Sequence, residues 1–431
     1  MRDFATSDHP GVQAQLDRLG ALSLPQGRLG LETIRELLGL LGDPHLRLPP
    51  AFHVAGTNGK GSTCAFLRAM LEAQGLRVHV ATSPHLVRYN ERIRLAGKLI
   101  EDDHLAALLA QVLDVGEALA PSFFEATIAA TFLAFAEVEA DACVIEVGLG
   151  GRFDATNVLE SPAVCGIASL GIDHEAFLLA PDAEAPADPL ARIAFEKAGI
   201  AKPGVPLVCQ VYPAPATKAV IGQAMVAGAR PAIRDLDWSA QVSAAGIAYH
   251  DRHGALALPL PAMPGAHQAD NAALAVAMLR HQQMVAVSPE AMAQGIVGAR
   301  WPARMQRLGD GPLTDMVPGR EVWLDGGHNP DAGAAIARVV PSRFHLIIGM
   351  LANKDAAALI GPLASHIASV QAVPVPGKDS HAAAAFGPTS KPAPDVPAAL
   401  TALPDDGLPV LIAGSLYLAG EVLRLNLEAP D

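Results

Sequence analysis

One stretch of this sequence combines glycine, lysine and hydroxyl side chains in an order typical of phosphate-binding loops. An apolar run, 51–55, leads into a glycine-rich turn, and an apolar pattern with helical spacing follows as far as Gly75. The turn consists of Gly56, Thr57, Asn58, Gly59, Lys60, Gly61 and Ser62. A strand, such a turn and a helix N-terminus present backbone N–H groups to an anion, and Lys60 adds a positive charge.

The match to the usual pattern G-x-x-x-x-G-K-[ST] is incomplete. Val54 stands where the first glycine belongs, and Gly61 stands where the hydroxyl belongs. The alternative is a glycine-rich turn that contains a Gly-Lys pair by chance. Because the lysine follows a glycine at a helix start after a strand, we interpret the stretch as a nucleotide site that takes part of its metal ligands from elsewhere.

Polar residues also follow other apolar runs. Ser83 follows the run 77–81, Glu146 interrupts the run 142–147, and His174 follows the run 163–170. Each has a structural alternative: a turn, an ion pair or a packed histidine. The carboxyl ends of parallel strands meet at one edge of a sheet, however. A hydroxyl, a carboxylate and an imidazole at that edge suit a divalent ion that also holds phosphate oxygens.

The elements that must position these residues indicate an α/β fold. Continuous apolar strands alternate with helical stretches, which predicts a mostly parallel sheet covered on both faces. Weak alternation over 231–260 suggests a small antiparallel excursion, and a second α/β series begins near 322. We expect a P-loop N-terminal domain over 1–298, a linker over 299–302 and a smaller, Rossmann-like α/β C-terminal domain over 303–431.

Composition narrows the function classes. The chain has 431 residues and a formal net charge of -13, which argues against nucleic acid or an anionic membrane as partner. No apolar run approaches the ~18 residues of a membrane helix, and the N-terminus lacks a signal-like apolar region. The four cysteines show no C-x-x-C spacing, which favours structural thiols in a reducing compartment. We expect a cytoplasmic protein.

Several motifs in register resemble one enzyme family. They are HVAGTNGKGST at 53–63, TSPHL at 82–86, IEVGLGGRFDAT at 145–156, EKAGI at 196–200 and DGGHNP at 325–330. The chain, from about residue 27 to its C-terminus, resembles the bifunctional dihydrofolate synthase/folylpolyglutamate synthases, which are relatives of the muramyl ligases. The resemblance implies an ATP-dependent ligase that joins glutamate to dihydropteroate, and further glutamates to folates, through an acyl phosphate.

The resemblance also implies roles for individual residues. The phosphates of ATP would bind the loop from Gly56 to Ser62, and the nucleotide would also contact Asn271, Arg304 and Asp325. Two Mg²⁺ ions would be held by Ser83, Glu146, His174 and Lys197. Incoming glutamate would lie near His328 and Ser415, and the catalytic residues would be Lys60, His174, Lys197 and His328. The pterin would be lined by a segment near 21–24 and by Ser122, Phe123, Phe124, Glu125, Arg152, Phe153, Asp154 and Ala155.

Lys197 has two interpretations. In the family the corresponding lysine is carbamylated and becomes a metal-bridging carboxylate. The alternative is an unmodified lysine that points away and pairs with its neighbour Glu196 at the surface.

The sequence leaves two other functions open. A muramyl-type ligase would act on a UDP-sugar peptide, but we expect no UDP-binding N-terminal domain here, and the loop reads Gly-Lys-Gly-Ser. A non-catalytic P-loop regulator would bind nucleotide without a second substrate pocket, whereas 122–125 and 152–155 suggest one. We expect small-molecule substrates (ATP, L-glutamate and dihydropteroate or a reduced folate) and a monomer.

Overall fold

The chain forms two compact units in a computed structural model that describes residues 5–22, 30–179, 182, 185–340 and 343–430. The first unit comprises Met1–Pro84, Tyr89–Ala262 and Gln268–Arg300. The second comprises Trp301–Asp431 and two short segments from earlier in the chain, His85–Arg88 and Met263–His267. No helix among the described residues is both long and apolar enough to cross a membrane.

The first unit is built on an eight-stranded sheet in the order β4-β3-β2-β5-β1-β6-β7-β8. Pairing is parallel from β2 to β8, and β3 and β4 add an antiparallel edge. The strands are β1 Ala51–Ala55, β2 Val78–Ala81, β3 Ile93–Leu95, β4 Lys98–Leu99, β5 Ala142–Glu146, β6 Val164–Ile167, β7 Pro206–Cys209 and β8 Arg230–Ile233. β1, β2, β5, β6 and β7 are buried throughout, as expected for a sheet covered on both faces.

Ten α-helices among the described residues accompany this sheet, and α9 packs so closely that Met278 lies directly against Gly166 of β6. They are α1 Pro10–Ala21, α2 Glu32–Leu40, α3 Lys60–Ala73, α4 Asp102–Gly116, α5 Phe123–Glu137, α6 Glu175–Leu178, α7 Pro189–Ala198, α8 Ala214–Ala227, α9 Ala266–His281 and α10 Pro289–Gly298. A separate antiparallel sheet contains β9 Trp238–Ser243, β10 Gly246–Asp251 and β11 Gly254–Leu258, which confirms the predicted excursion.

Helix starts carry local signals. Asp188 and Ser288 accept backbone hydrogen bonds as N-caps of α7 and α10, and each is followed by a proline. Ser122 and Glu125 form a capping box at the start of α5. These contacts fix the entry of the chain into helices that flank the predicted site.

The second unit is a smaller α/β layer whose six-stranded sheet has the order β12-β13-β17-β14-β15-β16. Of the strands that the structure describes in this sheet, only β12 pairs antiparallel. The strands are β12 Gln306–Arg307, β13 Val322–Leu324, β14 Phe344–Ile348, β15 Ile367–Ala372, β16 Lys391–Pro392 and β17 Val410–Ala413, and the helices are α11 Pro330–Ala337, α12 Ala356–Ile360, α13 Val396–Thr401 and α14 Leu416–Leu425. The predicted fold class, a P-loop α/β domain with a smaller α/β domain, is confirmed.

Candidate active site

The predicted phosphate loop lies between β1 and α3, where glycine permits backbone angles that other residues rarely adopt. Gly56 has a φ of 152° and Gly59 a φ of 84°. A Cβ atom on Gly56 would lie 2.9 Å from the Cβ of Ala168, so this position also requires glycine for space. α3 begins at Lys60 without a side-chain cap, and its first backbone N–H groups therefore face outward to an anion.

Hydrogen bonds to the segment after β6 hold this loop. The backbone N–H of Thr57 donates to the carbonyl of Ser169 at 2.8 Å, and the Thr57 hydroxyl donates to the carbonyl of Gly171 at 3.0 Å. The Ser169 hydroxyl donates to the carbonyl of Asn58 at 3.1 Å. A loop fixed in this way is organised before any phosphate arrives.

Two predicted nucleotide-binding side chains lie against the loop. Lys60 Nζ donates to the carbonyl of Gly56 at 3.1 Å, so the ammonium already sits over the turn. The buried Asn271 side chain lies against Gly59 so closely that a Cβ atom there would overlap its Oδ1. The structure therefore brings Asn271 of α9 to the loop, more than 200 residues away in sequence.

A cleft in the first unit opens at the phosphate loop and brings together Lys60, His174 and Lys197. The other lining residues are Gly56, Thr57, Val147, Gly148, Leu149, Gly150, Asp173 and Leu178. Three of the four predicted catalytic residues thus share one cavity.

Lys197 is buried, with 4% of its surface exposed, although it borders the cleft. Burial lowers the pKa of its ammonium to about 7, and the positive charge of Lys60 acts in the same direction. The carboxylates of Asp173, Asp154 and Glu196 oppose this shift only in part. A substantial fraction of Lys197 is therefore a neutral amine at neutral pH.

The carboxylate of Glu196 binds Arg152. Arg152 Nη2 lies 2.7 Å from Glu196 Oε1, Arg152 Nε lies 3.3 Å from Glu196 Oε2, and Arg152 Nη2 also lies 2.5 Å from Asp182 Oδ2. The guanidinium is 4.4 Å from the Phe153 ring centroid. A surface pair between Lys197 and Glu196, the alternative from the sequence, is wrong because Lys197 is buried and Glu196 already has this partner.

Among the predicted metal ligands, Ser83 and Glu146 meet where neighbouring parallel strands β2 and β5 end. The backbone N–H of Ser83 donates to Glu146 Oε2 at 3.3 Å, and Glu146 is 5% exposed. His174 is exposed with a φ of 54°, and its backbone N–H donates to Asp173 Oδ1 at 2.7 Å. In the described ranges, no three His, Cys, Asp or Glu side chains come together as a metal centre.

The donors present fit magnesium chemically. Mg²⁺ usually keeps several waters and is bound by one or two carboxylates together with substrate phosphates. A buried carboxylate beside a serine, one residue before the cleft-lining Val147, matches that pattern. Which of the four residues are ligands stays a prediction.

On the predicted pterin side, Phe124 reaches the cleft wall. A Cβ atom on Gly148 would lie 2.5 Å from Cζ of the Phe124 ring, so the ring covers this glycine. Phe123 packs edge-on against Tyr89, with ring centroids 5.7 Å apart. The side chains of Ser122 and Glu125 are engaged in the capping box of α5.

Two other predicted pterin residues are buried. Asp154 is 4% exposed and accepts hydrogen bonds from the backbone N–H groups of Leu149 and Thr156, and Ala155 belongs to a hydrophobic core cluster. In the segment near 21–24, residues 23 and 24 lie outside the described part of the chain. Pterin contacts at all these positions stay predictions.

The remaining predicted residues lie in the second unit, around the ends of β13 and β17. Asp325 accepts from the backbone N–H groups of Met305 at 2.8 Å and Gly327 at 2.7 Å. His328 Nδ1 lies 3.2 Å from the carbonyl oxygen of Gly326, and the side chain of Ser415 caps α14. Arg304 Nη1 donates to the carbonyl of Ala303 at 2.9 Å.

Sequence reasoning missed Asp173 as a cleft residue. It lies beside the predicted ligand His174, lines the same cavity and opposes the lowered pKa of Lys197. Its position directly before His174, after an apolar run, was the available signal.

No protein-family model matches this chain. A curated relative from Escherichia coli (strain K12), "Dihydrofolate synthase/folylpolyglutamate synthase", is 35% identical over 359 residues, which is 81% of this chain and 78% of that protein.

Solved structures extend the similarity to almost the entire chain. "E. coli FolC in complex with DHPP and ADP" matches with a TM-score of 0.85 and 30% identity, and the match covers 97% of this chain and 98% of that one. A bifunctional folylpolyglutamate synthase/dihydrofolate synthase "with Mn, AMPPNP and L-Glutamate bound" matches with a TM-score of 0.82 and 30% identity, covering 97% and 98%. With the phosphate loop, the cleft and the two-unit fold all in place, the chain belongs to the dihydrofolate synthase/folylpolyglutamate synthase family.

Proposed function

We propose that this chain uses ATP to join L-glutamate to dihydropteroate, and then adds further glutamates to folates, through an acyl phosphate. Family membership makes it an ATP-dependent ligase of folate metabolism. The observation that carries the mechanism is the cleft in which Lys60 of the phosphate loop and the buried Lys197 lie together. The nucleotide, the divalent ion and L-glutamate bound in the similar structures support these substrates for the chain.

The chemistry requires activation of a carboxylate. An amine does not displace oxide from a carboxylate, so one carboxylate oxygen must first accept the γ-phosphoryl group of ATP. Lys60 and the backbone N–H groups at the start of α3 offset the charge that develops on the phosphoryl oxygens. The glutamate amine, once neutral, then attacks the acyl carbon and releases phosphate.

We propose that Ser83, Glu146, His174 and Lys197 hold two Mg²⁺ ions. The bound ions would supply charge neutralisation for the phosphates. For its part, the chain keeps the Glu146 carboxylate buried and positions His174 through the hydrogen bond to Asp173.

Lys197 then acts as a carbamate. Its lowered pKa leaves a neutral amine that adds to carbon dioxide, forms an N–C bond and releases one proton. The product carries a negative charge with two oxygens, which suits a hard cation and relieves the repulsion between Lys197 and Lys60.

We assign nucleotide contacts also to Asn271, Arg304 and Asp325, and glutamate contacts to His328 and Ser415. For the domains we propose the division 1–298 and 303–431, apart from the two short segments 85–88 and 263–267 that belong to the second unit. Four free, buried cysteines support a reducing, cytoplasmic location, and we propose a monomer. Light scattering of the purified chain measures the oligomeric state directly.

Phosphate release in the presence of ATP and L-glutamate tests the function. We expect release that depends on dihydropteroate, and on a reduced folate if the chain also lengthens polyglutamates. Release with a UDP-sugar peptide instead would identify a muramyl-type ligase. Nucleotide binding without release in any mixture would identify a regulator.

A further inference from the structure

A buried chain of hydrogen bonds connects the strand before the phosphate loop to another cleft-lining segment, 148–150. It begins at His53 on β1, passes through Thr156 and ends at Asp154, and these side chains are 0%, 0% and 4% exposed. His53 Nε2 lies 2.8 Å from Thr156 Oγ1, and Thr156 Oγ1 lies 2.5 Å from Asp154 Oδ1. We name these three residues the His53 relay.

The direction of each bond in the relay follows from the protons available. Asp154 is surrounded by donors: the backbone N–H of Thr156 binds Oδ1 at 3.0 Å, and that of Leu149 binds Oδ2 at 2.8 Å. An acceptor in this environment takes the single hydroxyl proton of Thr156. The Thr156 oxygen must then accept from His53, so the imidazole carries its proton on Nε2.

Two further observations fit this tautomer. Burial, followed by the charge of Lys202, lowers the pKa of His53 to about 3, so the ring is neutral. His53 Nδ1 is buried, and no hydrogen-bond partner for it exists among the described residues. In a neutral imidazole one nitrogen carries the proton and the other a lone pair. The opposite tautomer would leave a buried Nδ1–H without an acceptor, and buried N–H groups without a partner are rare.

The two ends of the relay connect to two segments that line one cavity. β1 leads directly into Gly56 and Thr57, which line the cleft at the phosphate side. Asp154 binds the backbone of Leu149, which lines the same cleft beside Gly148, the glycine covered by Phe124. The relay side chains therefore connect the strand that leads into the phosphate loop with the segment 148–150.

We propose that His53 and Thr156 are positioning residues that fix the wall 148–150 relative to the phosphate loop and so set the binding of the acceptor substrate. This inference rests on the proposed function, because it assigns the 148–150 side to the acceptor. Neither residue contacts a reacting atom, and both act through Asp154.

Steady-state kinetics of two variants test the inference. Thr156→Val removes the hydroxyl at nearly constant volume, breaks both bonds and should raise the KM for dihydropteroate by about 10- to 100-fold, as small displacements of positioned groups do. The KM for ATP should change less than about threefold, since the loop keeps its bonds to Ser169 and Gly171. Thr156→Ser restores the hydroxyl and should recover most of the acceptor affinity.

Thr131→Val is the matched control. Thr131 is 1% exposed, and its hydroxyl donates to the carbonyl of Thr127 within α5. This variant loses the same buried group and should leave both KM values near those of the wild type. An equal rise in the acceptor KM for Thr131→Val and Thr156→Val would reduce the effect to general destabilisation and overturn the inference.

Nitrogen NMR of histidine-labelled wild-type protein tests the relay without catalysis, with His53→Gln used to assign the resonance. We expect a neutral ring protonated on Nε2 that stays neutral at pH 5. A ring protonated on Nδ1, or one that becomes cationic near pH 6, contradicts the relay. If wild-type protein shows this signal but releases no phosphate with dihydropteroate, the proposed function fails and the relay stands. If it turns over dihydropteroate and Thr156→Val keeps the wild-type KM, the inference fails alone.

Discussion

Two lysines of the same cleft lie in different environments. Lys60 lies on the phosphate loop with its ammonium on a backbone carbonyl, and Lys197 lies buried at the end of α7 with a lowered pKa. The chain has only eight lysines among its 31 lysine and arginine residues, and two of these lysines line this cleft. Their separate environments allow each role to be tested by one substitution.

Lys60→Ala should abolish ATP turnover and leave the fold intact, because the ammonium lies at a partly exposed loop and outside the hydrophobic core. ATP-dependent phosphate release and thermal unfolding measure the two effects. Lys218→Ala, at an exposed position of α8, is the control and should retain activity. A folded Lys60→Ala protein with normal turnover would remove the phosphate role.

Glu146→Gln should fold and require much more magnesium, since an amide is a poor ligand for a hard cation. The magnesium dependence of phosphate release gives the shift, and Glu139→Gln at an exposed position serves as control. An unchanged magnesium requirement would place the ligand elsewhere. Unfolding of the variant would instead support a purely structural carboxylate.

Lys197→Ala should lose most activity, and millimolar acetate should restore part of it by placing a carboxylate in the vacated space. Removing bicarbonate should lower wild-type activity reversibly, because a carbamate decomposes without carbon dioxide. Both effects are read from phosphate release. Full activity of Lys197→Ala contradicts the carbamate. The carbamate is also contradicted if no small carboxylate restores the activity of Lys197→Ala and the wild-type activity does not depend on bicarbonate.

At the scale of elements, the site depends on the close approach of the loop 148–154 to α7. Gly151 lies against the C-terminal turn of α7, where a Cβ atom would be 2.8 Å from the carbonyl oxygen of Lys197. The backbone N–H of Arg152 donates to the carbonyl of Glu196 at 2.8 Å. The position of Lys197 is therefore set by a loop that precedes it by more than 40 residues.

Gly151→Ala should displace α7 and lower both stability, by about 1–3 kcal/mol, and activity, because a methyl group has no space there. Gly222→Ala in α8 is the matched control. Its Cβ would meet nothing within 4 Å, and the change should stabilise the protein by about 0.5–1 kcal/mol. Denaturant unfolding measures both values, and equal effects of the two variants would contradict the packing explanation.

Local patterns in the sequence predicted most elements and the phosphate loop. The strand, the glycine turn and the lysine at a helix start are contiguous, so all the residues that predict the phosphate loop lie within 51–63. The confirmed family resemblance and the confirmed fold both depend on such contiguous motifs.

Pairings between distant residues were not predictable in the same way. Arg152 binds Glu196 and Asp182, and its neighbour Asp154 binds Thr156 and Leu149. The sequence places Glu196 beside Lys197, which suggested a surface pair, whereas the tertiary fold gives Glu196 a different partner and buries the lysine. Burial and long-range contacts decide these roles, and neither is contained in a motif.

At the scale of the whole molecule, the second unit takes two segments from within the first. Leu86 and Val87, which come directly after the predicted ligand motif TSP, pack against the hydrophobic core that contains Leu418 and Val422. The backbone of Leu86 lies against Gly420 of α14 and leaves no space for a side chain there. A cut at residue 300 therefore does not separate complete units.

A fragment of residues 301–431 should melt at a lower temperature than the same unit in the full chain, because it lacks Leu86 and Val87. Calorimetry of the fragment and of the full chain compares the two transitions. A fragment of residues 263–431 is a second comparison. It regains the segment 263–267 of this unit but still lacks the contact with 85–88. A fragment 301–431 that melts at the full-chain temperature would show that the segment is dispensable.

The contact of Leu86 with Gly420 also has a consequence for biosynthesis. A ribosome adds about 5–20 residues per second, so Leu86 emerges about 330 residues, and roughly 17–70 seconds, before its partner exists. During that interval Leu86 and Val87 have no core to enter, although the chain on both sides of them can already form the first sheet. Nascent chains should therefore expose the apolar side chains of Leu86 and Val87 until translation is almost complete, which makes this segment a position where a chaperone can bind.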